Sequence, residues 1–182
     1  NKPGTYEVEM GVPLKDFIQD LAGGMRDGAK LKAVIPGGSS TPPLTLQEVE
    51  TANLDYESMT TFGTFLGSGA IIVVPEHHCI LKLLEHLSEF YWDESCGQCT
   101  PCREGTGWLY KMVKKIAHGH GTPADIDSLN KTAKSMMGTT ICALADAAAM
   151  PVLGFIKKFP ADFQAHVDHK GCPLNQCGGS SH

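Results

Sequence analysis

The spacing of hydrophobic residues along the chain changes near Pro75 and divides the sequence into two parts. Before that point, apolar residues alternate with polar ones or form short β-branched runs bounded by glycine and proline, which is typical of strands. One segment has helical spacing instead and stops at a pair of glycines. The pattern predicts strands at residues 5–10, 31–36 and 70–74 and a helix at residues 14–22. Residues 1–75 are therefore expected to form a small α+β domain.

After Pro75 the apolar residues recur three and four positions apart, which is the period of amphipathic helices. Pro151 lies inside one helical stretch and is expected to kink or interrupt it. Residues 171–182 are rich in turn residues and are expected to form a flexible tail. Four short helices joined by glycine and proline breaks suggest a compact bundle over residues 76–170. The predicted helices are residues 79–92, 103–117, 123–137 and 143–154, with a short addition at 162–167.

A group of cysteines interrupts the helical part between its first and second predicted helices. Cys96, Cys99 and Cys102 are spaced C-x2-C-x2-C, and Cys142 stands alone forty positions beyond Cys102. Thiolates at this spacing can converge over a short arc, and backbone N–H groups of that arc offset the negative charge of an iron–sulfur cluster. In bacterial ferredoxins a fourth cysteine follows closely and serves a neighbouring cluster, but none follows here. The four cysteines therefore predict one [4Fe-4S] cluster, with Cys142 brought in by tertiary folding.

Other uses of the cysteines stay open. Structural zinc takes sets of four cysteines, but these usually come as two pairs on separate turns, so three ligands from one loop fit zinc poorly. Disulfide bonding is disfavoured because the total of seven is odd and the spacing points to a reducing compartment. Near the end of the chain, Cys172 and Cys177 could bind a zinc ion with His169 and His182. Cys79, which follows two histidines at a helix start, is expected to be a small buried residue.

Composition excludes several classes of function. A net charge of -5 and a pI of about 5.9 leave no basic surface for nucleic acid. The longest apolar stretch, residues 143–156, contains Asp146 and Pro151 and is too short to span a bilayer. No Ser/His/Asp or Cys/His motif of a hydrolase or transferase rises above chance. The chain begins without methionine or a signal pattern, so we expect it to be a piece of a longer protein.

Two long motifs carry a family resemblance. They read ESCGQCTPCREG at residues 94–105 and ICALADAA at residues 141–148. Both resemble the flavoprotein subunit of NADH:quinone oxidoreductase, respiratory complex I. The likeness extends to residues 32–40, which look like that subunit's β-grasp segment, and covers most of residues 5–170. It implies an α+β chain in which a small, soluble-ligand-binding β-grasp domain is followed by a four-helix-bundle iron–sulfur domain.

The resemblance also implies a redox role. In this family the cluster accepts single electrons from reduced FMN and passes them to the next iron–sulfur subunit. FMN and NAD(H) would bind only in the full-length subunit, because the N-terminal FMN/NADH domain is missing here, and this fragment alone is expected to be inactive with NADH. The implied cluster ligands are Cys96, Cys99, Cys102 and Cys142. The side chains expected to interact with the ligand sulfurs or the cluster charge are Ser95, Thr100 and Arg103.

Partners and location follow from the same resemblance. The implied partners are the missing FMN/NADH domain, the thioredoxin-like [2Fe-2S] subunit and the large iron–sulfur subunit of the complex, with no nucleic acid and no membrane span. The chain would be peripheral on the cytoplasmic face of the inner membrane, or on the matrix side in mitochondria. Two alternatives stay open. One is the diaphorase subunit of an NAD(P)-linked hydrogenase or formate dehydrogenase, which shares the motifs, and the other is a non-redox docking module with structural cysteines.

Overall fold

The change in hydrophobic spacing near Pro75 coincides with a change in architecture. The structure, a computed structural model, describes residues 1–177. Its chain divides into two units, Asn1–His77 and His78–His182. The first unit contains a small sheet with short helices, and the second is built of longer helices. The predicted mixture of α and β structure is therefore confirmed.

A three-stranded sheet lies at the centre of the first unit. Its strands are β1 (Leu31–Ile35), β2 (Leu44–Thr45) and β3 (Ile72–Pro75). The strand order is β2-β1-β3, and both outer strands run antiparallel to β1. Val34 is fully buried and pairs with Leu44 on one side and Val73 on the other. The helices of this unit are α1 (Leu14–Asp16), which continues as a π-helical segment over Phe17–Leu21, α2 (Leu46–Val49) and α3 (Tyr56–Thr61).

The prediction of a strand at residues 5–10 is wrong. Residues 5–9 have no regular secondary structure. The alternating side chains still contact the core, since Val8 packs against it and Tyr6 meets Phe17 edge-on at 5.5 Å. Alternation therefore reports which side chains face inward, whereas a strand also needs a neighbour to complete its backbone hydrogen bonds. The predicted strands at 31–36 and 70–74 are confirmed as β1 and β3.

A close backbone approach holds the turn after β1 in place. The carbonyl of Gly37 accepts a hydrogen bond from the Ser68 amide at 2.9 Å. Gly67 has φ of 49°, and a Cβ added there would lie 2.1 Å from the Gly37 oxygen. Both positions need glycine because any side chain would overlap backbone atoms of the other segment. The glycine-rich segments of the sequence are therefore packing elements of this unit.

Five helices make up the second unit as far as residue 177. They are α4 (Ile80–Asp93), α5 (Thr100–Ala117), α6 (Pro123–Met136), α7 (Leu144–Lys158) and α8 (Pro160–Asp168). α4 packs against α5 and α7, α6 also packs against α5 and α7, and α8 contacts all four. Within the described residues no helix is both long enough and apolar enough to cross a membrane.

The helix predictions are confirmed with shifted ends. α5 begins at Thr100 rather than near residue 103, and α7 continues to Lys158 rather than to about residue 154. Pro151 was expected to kink or interrupt this helix. It lies inside α7 and does not interrupt it. Pro151, Val152 and Phe155 are all buried, so apolar packing offsets the backbone hydrogen bond that proline removes.

Candidate functional site

The three closely spaced cysteines lie where α4 gives way to α5. Cys96 is in the connection, Cys99 is the N-cap residue of α5, and Cys102 is in its first turn. Gly97 has φ of 76°, a backbone conformation that glycine adopts without strain and that turns the chain between the first two cysteines. The N-terminus of an 18-residue helix offers unpaired N–H groups and the positive end of its dipole. This environment favours a negatively charged group bound beside the cysteines.

Hydrogen bonds fix the shape of this loop. The Ser95 Oγ lies 3.2 Å from the Cys102 Sγ. Arg103 donates from Nη1 to the Gly97 carbonyl at 2.8 Å and from Nη2 to the Thr100 Oγ1 at 3.4 Å. Of the three side chains predicted to surround the cluster, Ser95 therefore contacts a cysteine sulfur. The other two, Arg103 and Thr100, brace the loop.

Cys142 lies in the connection between α6 and α7, two residues before α7 begins. The Thr140 Oγ1 donates a hydrogen bond to the Cys142 carbonyl at 2.8 Å. The amide of Gly138 donates to the Asp146 carboxylate at 2.7 Å, which ties the start of the connection to the first turn of α7. The Cys142 side chain is exposed. Its thiol is therefore accessible from outside the helices.

A close contact joins the N-terminal part of α5 to the end of α6, where the connection to Cys142 begins. Gly105 comes three residues after Cys102, and a Cβ added to it would lie 2.6 Å from the Sδ of Met136. Met136 is the last residue of α6, and Cys142 follows six residues later. The missing side chain at Gly105 thus lets the end of α6 approach the cysteine-bearing end of α5.

A second group of metal-binding side chains, the Cys79 site, lies at another place in the second unit. Its four ligand atoms, from Cys79, His166, Cys172 and Cys177, all lie within 4.8 Å of one another. The Cys79 Sγ is 3.2 Å from the His166 Nε2 and 3.4 Å from the Cys177 Sγ. The Cys177 Sγ is 3.8 Å from the His166 Nε2. Cys172 is half-buried, and the other three residues are buried.

Different elements supply these four residues. Cys79 is the N-cap residue of α4, and His166 lies on the last turns of α8. Cys172 and Cys177 lie in the turns that follow α8. The Lys170 carbonyl and the Gly171 amide of that segment rest against Gly119 at the end of α5, where a Cβ would lie 2.1 Å from the carbonyl oxygen. The close approach at Gly119 positions the segment that carries the last two cysteines.

Opposed pKa shifts mark the Cys79 site. The hydrogen bond from Cys177 does most to lower the pKa of the Cys79 thiol, to about 3, and the bond to His166 adds to the effect. Burial opposes protonation of His166, but hydrogen bonds to Cys79 and to the Asp162 carbonyl outweigh it and raise the pKa to about 9. The hydrogen bond to Cys79, together with burial, raises the pKa of Cys177. The lowered pKa of Cys79 and the raised pKa of His166 both favour an ion pair between these two groups.

The sequence identifies only half of the Cys79 site. It places Cys172 and Cys177 in a zinc set with His169 and His182. His169 is exposed, and its Nδ1 pairs with the Ala165 carbonyl at 2.9 Å, so it is not part of the site. His182 lies outside the described residues. Cys79 is buried as expected, but its sulfur has polar partners rather than only apolar contacts.

His166 is the residue that the sequence analysis missed altogether. The available signal was its spacing, since it lies three positions after the buried Phe163 on the inward face of α8. A histidine at such a position needs a polar partner inside the fold. Its partner Cys79 is 87 residues away along the chain, so no local spacing connects the two.

The four cysteines predicted as cluster ligands fall within a region that matches a known family. Residues 82–166 match the family model described as the NADH-ubiquinone oxidoreductase-F iron-sulfur binding region. Residues 1–74 match the model of the SLBB domain. The first region contains Cys96, Cys99, Cys102 and Cys142. It leaves out the remaining cysteines, which are Cys79, Cys172 and Cys177.

Curated relatives and solved structures agree with these matches. The NADH-quinone oxidoreductase F 2 subunit of Rhizobium meliloti (strain 1021) is 42% identical over 174 residues, which are 96% of this chain and 41% of the relative. The NADH-quinone oxidoreductase F subunit of Rickettsia bellii (strain OSU 85-389) is 46% identical over 168 residues, or 92% and 40%. An NAD+-reducing [NiFe]-hydrogenase, crystallised in the H2-reduced state, is similar with a TM-score of 0.78 and 28% identity, covering 91% of this chain and 28% of the hydrogenase chain. The chain spans about 40% of the length of the curated relatives it matches.

Proposed function

We propose that this chain belongs, through residues 82–166, to the NADH-ubiquinone oxidoreductase-F iron–sulfur family, and that Cys96, Cys99, Cys102 and Cys142 hold its [4Fe-4S] cluster. The observation that carries this assignment is that the matched region contains these four cysteines and leaves out the other three. The closeness of Gly105 to Met136 supports it, because it joins α5, three residues after Cys102, to the end of α6, and the connection to Cys142 starts there.

The residues present fit such a cluster by their chemistry. Four thiols are the donor set that [4Fe-4S] clusters take most often. The N-terminus of α5 supplies N–H groups and a partial positive charge next to Cys99 and Cys102. Burial is graded across the set: Cys102 is buried, Cys99 is half-buried, and Cys96 and Cys142 are exposed. A group held here would have one side in the protein and one side accessible to a partner.

The role of the chain in electron transfer follows from these contacts. When bound, the cluster supplies one-electron redox chemistry. The four thiolates hold it, and the Ser95 hydroxyl is positioned to donate to the Cys102 Sγ, which withdraws charge from that sulfur and favours the reduced state. Arg103 keeps the loop in shape through the Gly97 carbonyl. No side chain of this site is required to transfer a proton.

Exposed apolar side chains near the cysteines support a docking role. Ile141, which directly precedes Cys142, is 88% exposed, and Trp108 on α5 is 54% exposed. Large apolar side chains in such positions are typical of surfaces that other proteins cover. We assign this surface to the partners that the family implies, namely an FMN/NADH domain, a thioredoxin-like [2Fe-2S] subunit and a large iron–sulfur subunit.

At the level of the whole protein, we propose an NADH dehydrogenase of the respiratory chain. The relatives are named as subunits of NADH-quinone oxidoreductase, so the complete protein would oxidise NADH through FMN and deliver the electrons towards quinone. It would lie as a peripheral subunit on the cytoplasmic face of the membrane. The present chain corresponds to about 40% of such a subunit and contributes the electron-accepting part.

We also propose the finer architecture that the resemblance implies. The SLBB match to residues 1–74 supports a β-grasp domain at residues 1–75. The packing of α4 and α6 against both α5 and α7 supports a four-helix bundle within residues 76–170.

A hydrogenase diaphorase is the second candidate function. The structural likeness to the NAD+-reducing [NiFe]-hydrogenase favours it, because the match covers 91% of this chain. Identity distinguishes the two, since it is 42% to 46% to the F subunits of NADH-quinone oxidoreductase but 28% to the hydrogenase. The quinone oxidoreductase assignment is therefore preferred. The role of the iron–sulfur region is the same in both.

Anaerobic reconstitution of the chain with iron and sulfide tests the ligand set. We expect about four irons and four sulfides per chain and an electron paramagnetic resonance signal after reduction with dithionite. Cys142→Ser should lose most of this iron, because the distant ligand is removed. The matched control is Ser135→Ala, an exposed residue of the same unit that belongs to neither proposed metal site, and it should keep the iron of the unmodified chain. Equal iron loss in the two variants would contradict the assignment.

A further inference from the structure

The distances within the Cys79 site suit a single metal ion. Tetrahedral zinc has Zn–S bonds of about 2.3 Å and Zn–N bonds of about 2.0 Å, which place its donor atoms roughly 3.5 to 3.8 Å apart. The measured separations from Cys79 to His166, from Cys79 to Cys177 and from Cys177 to His166 are 3.2, 3.4 and 3.8 Å. All four donor atoms, Cys172 included, lie within 4.8 Å of one another. A small inward or outward shift of the side chains is enough to surround one ion.

The same distances do not suit a second iron–sulfur cluster. In a [4Fe-4S] cluster each protein ligand binds a different iron, so the ligand sulfurs surround a body of four irons and four sulfides. The sulfur and nitrogen atoms of the Cys79 site are within hydrogen-bonding distance of one another, so four irons and four sulfides do not fit between them. The Cys79 site therefore differs in kind from the four cysteines of residues 96–142, and three of its residues lie outside the matched iron–sulfur region.

Hydrogen bonds around the site orient its donor atoms. The Nδ1 of His166 lies 2.7 Å from the Asp162 carbonyl, and because a carbonyl only accepts, Nδ1 carries a proton and Nε2 is the atom that faces the sulfurs. The amide of Gln176 donates to the Cys172 Sγ at 3.4 Å. The side-chain oxygen of Gln176 accepts from the Cys79 amide at 2.8 Å. Metal-binding histidines and cysteines commonly have such outer partners.

The donor set identifies the metal. Three sulfurs and one imidazole nitrogen form a Cys3His set, which is one of the combinations that structural zinc sites use. Four protein ligands complete the tetrahedral shell and leave no position for a substrate. Burial of Cys79, His166 and Cys177 excludes water from most of the shell. A closed, buried shell of this kind stabilises a fold rather than catalysing a reaction.

We propose that the Cys79 site binds one structural zinc ion through the Sγ atoms of Cys79, Cys172 and Cys177 and the Nε2 of His166. The ion links three parts of the unit, which are the residue directly before α4, helix α8, and the segment that follows α8. It is independent of the [4Fe-4S] cluster and of the redox role proposed for that cluster. Residues 172–177 are then part of the folded second unit, because two of its metal ligands lie there.

Cobalt(II) binding to the full chain tests the proposal, since Co2+ enters tetrahedral zinc sites and reports its ligands by absorption. We expect the absorption spectrum of tetrahedral cobalt, with sulfur-to-cobalt charge-transfer bands. About one zinc ion per chain should displace the cobalt, and the untreated protein should contain about one zinc ion per chain. Cys177→Ser should lose this spectrum and the zinc. The difference between the spectra of the unmodified chain and Cys177→Ser isolates the Cys79 site, because any cobalt on the other cysteines contributes to both.

Two further variants make the result decisive. His166→Cys keeps four donors, so it should remain folded by circular dichroism, retain cobalt and shift the bands to those of a four-thiolate site. Cys142→Ser should keep the zinc while it loses iron, so failure of the zinc proposal and failure of the iron–sulfur proposal give different results. An octahedral cobalt spectrum, an unchanged spectrum in Cys177→Ser, or iron in place of zinc at this site would overturn the proposal.

Discussion

At the scale of single residues, the glycines of the first unit show how a side chain can be excluded by backbone. A Cβ on Gly37 would lie 2.4 Å from both the Leu66 carbonyl carbon and the Phe65 oxygen. Backbone atoms cannot rotate away as a flexible side chain does, so the clash has to be relieved by moving the chain. Gly63 has φ of 69° but no atom within 4 Å of an added Cβ. A side chain at Gly37 would therefore meet steric overlap, whereas one at Gly63 would meet only backbone strain.

We predict that Gly37→Ala lowers the free energy of unfolding by about 3 kcal/mol, because it forces the turn after β1 away from residues 65–67. Gly63→Ala serves as the control and should cost about 1 kcal/mol, which is the strain of a left-handed backbone alone. Urea unfolding followed by far-UV circular dichroism measures both. Similar losses in the two variants would show that the close approach contributes little to stability.

At the scale of elements, capping explains why some helix ends could be predicted and others could not. α6 begins with a capping box in which Thr122 and Asp125 bond each other's backbone amides, followed by proline at the first turn. Its start was predicted at the correct residue. α5 begins at Thr100 rather than near residue 103, and its N-cap residue Cys99 makes no side-chain capping hydrogen bond that could mark the start. Local signals fix an element only where its partners are also local.

We predict that Thr122→Ala lowers the free energy of unfolding by about 1 kcal/mol, because it removes the side-chain acceptor for the Asp125 amide. Ser128→Ala, in the same helix, is the control, since the Ser128 hydroxyl bonds only the Ala124 carbonyl on the exposed face. Urea unfolding at neutral pH should show a loss in the first variant and almost none in the second. Equal losses would mean that the cap does not stabilise α6.

Acid should weaken this cap in a definite direction. The hydrogen bond from Lys115, and then the bond from Thr122, lower the pKa of Asp125 from 3.8. A carboxylate with a lowered pKa contributes stability above its unfolded-state value and loses it as the pH falls through the folded-state value. The contribution of Asp125 is therefore fully present at neutral pH, begins to decrease near pH 3.8 and is lost at lower pH, as the pH falls through the folded-state pKa.

The same distinction between local and distant partners explains what the sequence could predict of the sites. The spacing of Cys96, Cys99 and Cys102 is local, so three ligands of the proposed cluster could be named from the sequence. The strand expected at residues 5–10 is wrong because no neighbouring strand pairs with it. Cys79 and His166 could not be paired, because only the packing of α8 near the start of α4 brings them together.

At the scale of the whole molecule, the two units differ in what stabilises them. The first has a core of apolar side chains around its sheet, which includes Leu14, Val34, Leu44 and Met59. The second has helix packing and, by our proposals, two metal centres. Both tryptophans of the chain, Trp92 and Trp108, lie in the second unit. Tryptophan fluorescence therefore reports on that unit alone.

We predict that a zinc chelator lowers the unfolding temperature of the second unit by at least about 5 °C, because the ion binds the folded unit and not the unfolded chain. Heating followed by tryptophan fluorescence measures this change. Hydrogen exchange at Val34 in the first unit should stay the same, since its contacts involve no metal ligand. Cys177→Ser, which has no zinc to lose, is the control, and a chelator effect of equal size in that variant would contradict the prediction.

The beginning and the end of the described part of the second unit are neighbours in space, because the amide of Cys79 bonds the Gln176 side chain. A domain with adjacent ends tolerates circular permutation and insertion into a host chain, because joining the ends strains nothing. A version whose ends are joined by a short linker and reopened at an exposed turn is expected to fold with the same helix packing. The helix packing of this unit then does not depend on where its chain starts and stops.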